Sequence, residues 1–162
     1  MRAAKGTLAV IGAMALGVVA APVAAAEGPT RDEYVTQVDP ICEQNTLANK
    51  RILKGAQAKV NRGKLKEAGG QFIRASEEFT ATVKAIAAVP RPPSDDARLV
   101  KWFGFLKIIS KHLRMLGKAL KEENEIKAVH ERIRAERSGN AANNVSFVFD
   151  FDYCRITPSR FT

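Results

Sequence analysis

Two long stretches of this chain carry apolar residues in alternating steps of three and four. Leu65, Ala68, Phe72, Ala75, Phe79, Thr82, Ile86 and Val89 form the first series. Leu99, Trp102, Leu106, Ile109, Leu113, Leu116 and Leu120 form the second, with Phe103 and Phe105 on its flanks. Such steps keep one face of a helix turned toward a near-parallel neighbour. Each series therefore predicts a long helix with a buried seam, Phe105 lying at its half-exposed margin. Gly69-Gly70 weakens the first by about 1 kcal/mol per glycine relative to alanine. Pro90-Arg91-Pro92-Pro93 ends it, because proline cannot continue the hydrogen-bond ladder. Ser94-Asp95-Asp96 supplies a cap for the second, with acids where the helix dipole favours them.

A third amphipathic stretch runs from Thr30 to Val60. Thr30-Arg31-Asp32-Glu33 fits the capping box, in which two side chains satisfy free amides of the first turn. Tyr34, Val38, Ile41, Ala48 and Ile52 follow at helical spacing, widened by Val35, Cys42 and Leu53 and interrupted by Asn45. Pro40 lies inside the run. It either kinks one helix or lets Asp39 cap a second segment that starts with the proline. Asn61-Arg62-Gly63 ends the element.

The fourth pattern is weaker. After Glu122-Glu123-Asn124, the residues Ile126, Val129, Ile133, Asn140, Asn144 and Phe147 predict an inner face that includes two amides. Phe147, Phe149 and Phe151 then alternate with Val148, Asp150 and Asp152, which fits an extended tail or a fraying helix. Four helices joined by short turns and one proline-rich link predict an all-α, up-down-up-down four-helix bundle with a short C-terminal tail.

The first 26 residues change the picture of where this bundle resides. Arg2 and Lys5 precede an apolar run from Leu8 to Ala21, Pro22 breaks it, and Ala24-Ala25-Ala26 offers a signal-peptidase site. Residues 1–26 are read as a cleaved signal peptide and 27–162 as one domain, exported to the cell envelope or extracellular space. The competing reading is an uncleaved anchor, since Thr7–Ala26 approaches the roughly 20 residues that span a bilayer. Removing 26 of 162 residues leaves 136, a size suited to one core.

Export bears on the two cysteines, Cys42 and Cys154, because structural disulfides persist in oxidising compartments. An intramolecular bond would pin the tail across the first helix. Two free or intermolecular thiols are the alternative.

Several of these features occur together elsewhere. The run Tyr34-Val35-Thr36-Gln37-Val38-Asp39-Pro40-Ile41-Cys42, the Pro90–Pro93 link followed by Trp102, and the pair Tyr153-Cys154 resemble a set of small exported helical proteins of actinobacteria. The resemblance implies a signal peptide, helices and two distant cysteines. It implies no activity and no catalytic or binding residues.

Charge supplies the most visible candidate chemistry. The whole chain carries a net charge of +9, and losing Arg2 and Lys5 would lower it to +7. Asn49–Lys66 contains Lys50, Arg51, Lys54, Lys59, Arg62, Lys64 and Lys66 without an acid. Lys107, Lys111, Arg114, Lys118 and Lys121 form a second stripe, away from the Leu/Trp seam. Such faces suit an anionic wall polymer, a membrane surface of lipid headgroups, or an acidic protein partner. Charge runs of this kind are usually ordinary solvated helix surface, which is the competing reading. An exported chain without a recognised binding module makes nucleic acid a poor partner.

Motifs for catalysis and cofactors do not emerge. His112 and His130 belong to no Cys-x-x-Cys-His, Glu-x-x-His or His-Glu-x-x-His pattern. A haem ligated by histidine and Met115 would need the two to meet across the core. The pairs Glu77-Glu78 and Glu122-Glu123 are adjacent in sequence, so each turns its members to different sides of a helix. The reading at this level is a non-catalytic binding protein acting through basic helix faces, without metal or cofactor. The second reading is a small-ligand or cofactor carrier using the core around Trp102, Asn140 and Asn144.

Overall fold

A computed structural model describes residues 28–157. The proposed signal segment, residues 1–26, lies outside them. Among the described residues the chain is all-helical: α1 (Arg31–Ile52), a short α2 (Ala56–Asn61), α3 (Leu65–Ala87), α4 (Asp96–Lys121) and α5 (Glu125–Ser146). No helix among these residues is long and apolar enough to cross a membrane.

The two strong seams pack as their spacing predicts. Leu65 through Ile86 on α3 and Leu99 through Leu120 on α4 are buried at every seam position, Val89 and Phe105 half so. The two helices run antiparallel, and at one end their backbones touch. A Cβ on Gly69 would stand 2.5 Å from the Gly117 carbonyl oxygen, and one on Gly117 would stand 2.7 Å from that of Gly69. The glycine that weakens α3 as an isolated helix thus permits contact that no larger residue allows. Two turns along, Ser110 Oγ reaches the Ser76 carbonyl at 3.2 Å.

Helix α1 begins with the expected capping box: Thr30 Oγ1 accepts from the Glu33 amide, and Glu33 accepts from the Thr30 amide at 2.7 Å. The Thr30 amide and hydroxyl, both bonded to the Glu33 carboxyl, hold it below its ordinary pKa. The helix passes through Pro40 without a break. It does not reach Val60 as one element, however. Gly55 adopts φ 74°, the left-handed region open to glycine, and divides the stretch into α1 and α2. The buried Gln71 amide from α3 donates to the Ile52 and Lys54 carbonyls at 2.7 and 3.1 Å, satisfying acceptors that the helix end leaves open.

Two further expectations need correction. Asp95 occupies the position preceding α4 but makes no cap hydrogen bond. Its buried carboxylate instead receives Arg31 in a two-pronged ion pair, Nε to Oδ2 at 3.0 Å and Nη2 to Oδ1 at 2.8 Å. Donating these hydrogen bonds to Asp95 raises the Arg31 pKa further. The second correction concerns α5, which is rotated from the face its large residues suggest. Ile126 is 76% exposed and Val129 48%, and both Asn140 and Asn144 face outward. The buried line is Ala128, Glu131, Ala135, Gly139, Ala142 and Ser146. Small side chains let the helix lie close to its neighbours, and Gly139 has Ile156 so near that a Cβ would meet it at 2.8 Å.

Helix α1 packs on α3, α3 on α4, and α4 on α5, whereas α1 and α5 make almost no direct contact. The C-terminal tail joins that side. A 3-10 turn, Phe147–Phe149, leads into irregular chain rather than a strand. Phe149 and Phe151 are buried and stack on each other, and Phe151 stacks on Trp102, with centroids 5.4 Å apart in both pairs. Phe147, expected inside, is 76% exposed. Cys154 is bonded to Cys42, their Cα atoms 5.0 Å apart.

Polar tethers accompany that bond. The Asp39 carboxylate accepts the amides of Asp152, Tyr153 and Cys154 at 2.9, 2.9 and 3.2 Å. The Asn143 amide pairs with the Ile156 backbone in both directions, at 2.7 and 2.8 Å. Asp39 therefore caps the tail and not a second helical segment. An irregular segment buried against helices must find partners for its amides, and one carboxylate supplies three.

Candidate functional site

The antiparallel packing of α3 and α4 buries one side of each helix and leaves a groove along the other. Its volume is about 630 Å³. Ser76, Thr80, Ala81 and Val83 on α3 and Ser110 and Met115 on α4 line it, while Lys84, Lys107, Lys111 and Arg114 supply its cations. Glu77 is its acid and lies 3.4 Å from Arg114. Lys84, Lys107 and Lys111 are exposed and make no ion pair among the described residues.

The hydroxyls of the groove are already engaged. Ser76 Oγ donates to the Ile73 carbonyl at 2.7 Å, and Thr80 Oγ1 lies 2.7 Å from the Ser76 carbonyl. Ser110 reaches that same carbonyl, and its Oγ also meets Thr80 Oγ1, which knits the two helices together. A hydroxyl on an α-helix commonly turns back to a carbonyl one turn earlier in this way. The site thus offers a surface of methyl and thioether groups and engaged hydroxyls, bordered by ammonium groups.

The ten basic residues singled out by sequence spacing do not form one site. Lys107, Lys111 and Arg114 line the groove, but Lys118 and Lys121 do not. Lys121 instead lies beside Gly69, where the helices pinch. In the first basic stretch Lys50, Arg51, Lys54 and Arg62 are exposed, and Lys59 is half-buried. Glu67 approaches both Lys59 and Lys64 at 3.6 Å, and Glu123 approaches Lys66 at 3.2 Å. Acids beyond the run thus balance part of it, whereas the groove keeps most of its positive charge. Lys84 was not legible as a partner of the α4 stripe. The outward spacing of Glu77, Ala81 and Lys84 is its signal, but that spacing does not reveal which helix lies alongside.

The candidates for cofactor chemistry are placed elsewhere. His112 Nδ1 lies 2.6 Å from the buried Glu131 carboxylate on α5, whose other oxygen accepts from Arg134 at 3.3 Å. His130 is exposed. Met115 lines the α3–α4 groove, while His112 engages α5. No group of three or more His, Cys, Asp or Glu side chains suited to a metal ion occurs among the described residues.

The interior around Trp102 is tightly filled. A cavity of about 10 Å³ lies among Asn45, Thr82, Trp102 and the disulfide, on the scale of one water. With Asn140 and Asn144 on the outside, the polar side chains facing this region are Asn45, the Trp102 indole and Thr82, whose hydroxyl donates to the Glu78 carbonyl. The amides differ from the expectation because their spacing matches a helix face that proves to be solvated. Compared with known proteins, the chain matches no family model, no curated protein and no solved structure.

Proposed function

We propose that this is an exported, non-catalytic binding protein of the cell envelope or extracellular space, docking on an anionic partner through its basic helix surface. In this reading residues 1–26 are removed as a signal peptide and the remainder is an up-down-up-down bundle. The observation that carries the proposal is the grouping of Lys84, Lys107 and Lys111 on two helices around one groove, none of them in an ion pair among the described residues, while the groove's acid, Glu77, pairs with Arg114. Cations that form no internal ion pair remain available to an external anion, and their field steers it over about a Debye length. The Cys42–Cys154 bond supports the extracytoplasmic placement, since such bonds persist where the surroundings are oxidising.

Sedimentation with phosphatidylglycerol vesicles and with polyphosphate tests this reading against neutral phosphatidylcholine vesicles. The expected result is binding to at least one anionic target that weakens about tenfold or more between low and physiological salt, as screening shortens the Debye length. Negligible binding, or binding insensitive to salt, overturns the proposal. Replacing Lys84, Lys107 and Lys111 by Gln is expected to weaken binding more than replacing Lys50, Arg51 and Lys54.

A further inference from the structure

We infer that the α3–α4 groove takes a single-chain lipid anion, with its acyl chain against the floor and its carboxylate among the lysines. The inference rests on the docking reading above and names the occupant of that same surface.

Three observations converge on this chemistry. First, the floor makes little polar demand. The Ser76, Thr80 and Ser110 hydroxyls are engaged by helical carbonyls and by one another, leaving Ala81, Val83 and Met115 as its apolar contact surface. A free inorganic anion would leave that surface wet, whereas an acyl chain would cover it. Second, Lys84, Lys107 and Lys111 lack ion pairs among the described residues, and their methylene stems extend the apolar wall while their ammonium groups stay hydrated. This combination matches an apolar body with one anionic end. Third, the dimensions suit a small molecule. A volume of about 630 Å³ falls within the roughly 300–1,000 Å³ typical of small-ligand sites.

A partner helix fits less well. From Lys107 to Met115 the groove follows α4 for about 12 Å at 1.5 Å per residue. Helix-in-groove recognition uses four apolar anchors at i, i+3, i+4 and i+7, about 10.5 Å of helix, and the groove offers only Ala81, Val83 and Met115 as apolar contacts for them. A flat bilayer, for its part, cannot enter a concavity between two helices.

Calorimetric titration of the full chain with dodecanoate below its micelle concentration tests the inference. Dodecyl maltoside, dodecyltrimethylammonium and acetate serve as comparison ligands. Saturable binding of one dodecanoate is expected, at least about tenfold tighter than either comparison amphiphile, with no detectable acetate binding. Each lysine replaced by Gln should weaken dodecanoate about fivefold, and the triple variant about a hundredfold, from the contribution of one near-surface cation to an anionic head. The Lys50→Gln, Arg51→Gln, Lys54→Gln variant removes the same charge elsewhere and should change affinity less than about threefold, because the Debye length is only about 8 Å at physiological salt. Ala81→Glu, which puts a carboxylate on the floor at an exposed position, should abolish binding.

Equal binding of the three amphiphiles, or equal losses in the two triple variants, overturns the inference. So does an acidic helical peptide that binds this groove where dodecanoate does not. Salt-sensitive binding to vesicles or polyphosphate without dodecanoate binding also overturns it, while leaving the docking function standing. If no anionic target binds, both fall.

Discussion

The two sides of this bundle are held in different ways. Along α3 and α4, regularly spaced large apolar residues meet over many turns, and a glycine pair brings the backbones together at one end. On the side between α1 and α5 the helices hardly touch, and the tail joins them through a disulfide, the Asp39 carboxylate and the Asn143 amide. One side draws on buried area, which is nondirectional and tolerates small shifts. The other buries a smaller apolar set, Phe149, Phe151 and Ile156, and adds a few directed bonds, each of which requires one particular atom at one place. Losing a bond on the second side should therefore open the tail before it disturbs the seam.

The largest expected effect comes from replacing Cys42 and Cys154 together by Ser. Closing a loop of this length stabilises a fold by up to about 4.7 kcal/mol in the chain-entropy model. A loss of several kcal/mol is expected in urea unfolding, with hydrogen exchange accelerating first at residues 150–157. Uniform acceleration across α3 and α4 at the same denaturant concentration would contradict the division into two kinds of side.

Asp39→Ala sharpens the comparison with the disulfide intact. It deprives the amides of Asp152, Tyr153 and Cys154 of their acceptor. The expected cost is roughly 2–4 kcal/mol, because charged hydrogen bonds are lost and buried donors are left open. Asp39→Asn retains one oxygen and should recover part of it. An unchanged midpoint for Asp39→Ala would mean that the covalent bond alone holds the tail.

Tyr34 provides the smallest effect and a pH test. Its ring is fully buried beside Phe149, its hydroxyl has no hydrogen-bond partner, and burial pushes the phenol pKa well up. A pKa raised by folding means that the stability it reflects is whole below the unfolded phenol's value of about 10 and is lost as pH rises through the higher folded value. Thermal stability should therefore fall progressively above about pH 10. Tyr34→Phe should remove that residue's share of the alkaline loss and gain about 1 kcal/mol at neutral pH by deleting the open hydroxyl. If the variant is less stable at neutral pH, the hydroxyl is bonded after all.

How far each side could be read from sequence follows from the same contrast. Periodicity reports apolar area, so Leu65–Ile86 and Leu99–Leu120 were legible position by position, as was the Thr30–Glu33 cap. It is blind to a helix that buries alanine and glycine. Helix α5 therefore seemed to face inward with Ile126 and Asn140, residues that the structure leaves in solvent. Asp39 and Asn143 carried no signal because their partners are backbone groups, 113 to 115 residues away for Asp39 and 13 for Asn143. The disulfide was legible through the cysteine count together with the expectation of export. For the candidate site, the α4 cations Lys107, Lys111 and Arg114 were visible as a stripe. The addition of Lys84 and the separation from Lys118 depend on how α3 lies against α4, which local spacing does not encode.

The covalent closure also imposes an order on assembly. Synthesis runs from the N-terminus, so Cys42 emerges well before Cys154, which lies 112 residues further along. During that interval the earlier thiol has no mate in its own chain, because the protein contains only two cysteines. An oxidant that acts too soon can join it only to another molecule. Within one chain there is a single bond to make and no wrong one to choose, so premature oxidation would leave its trace as a mixed disulfide or a crosslinked pair.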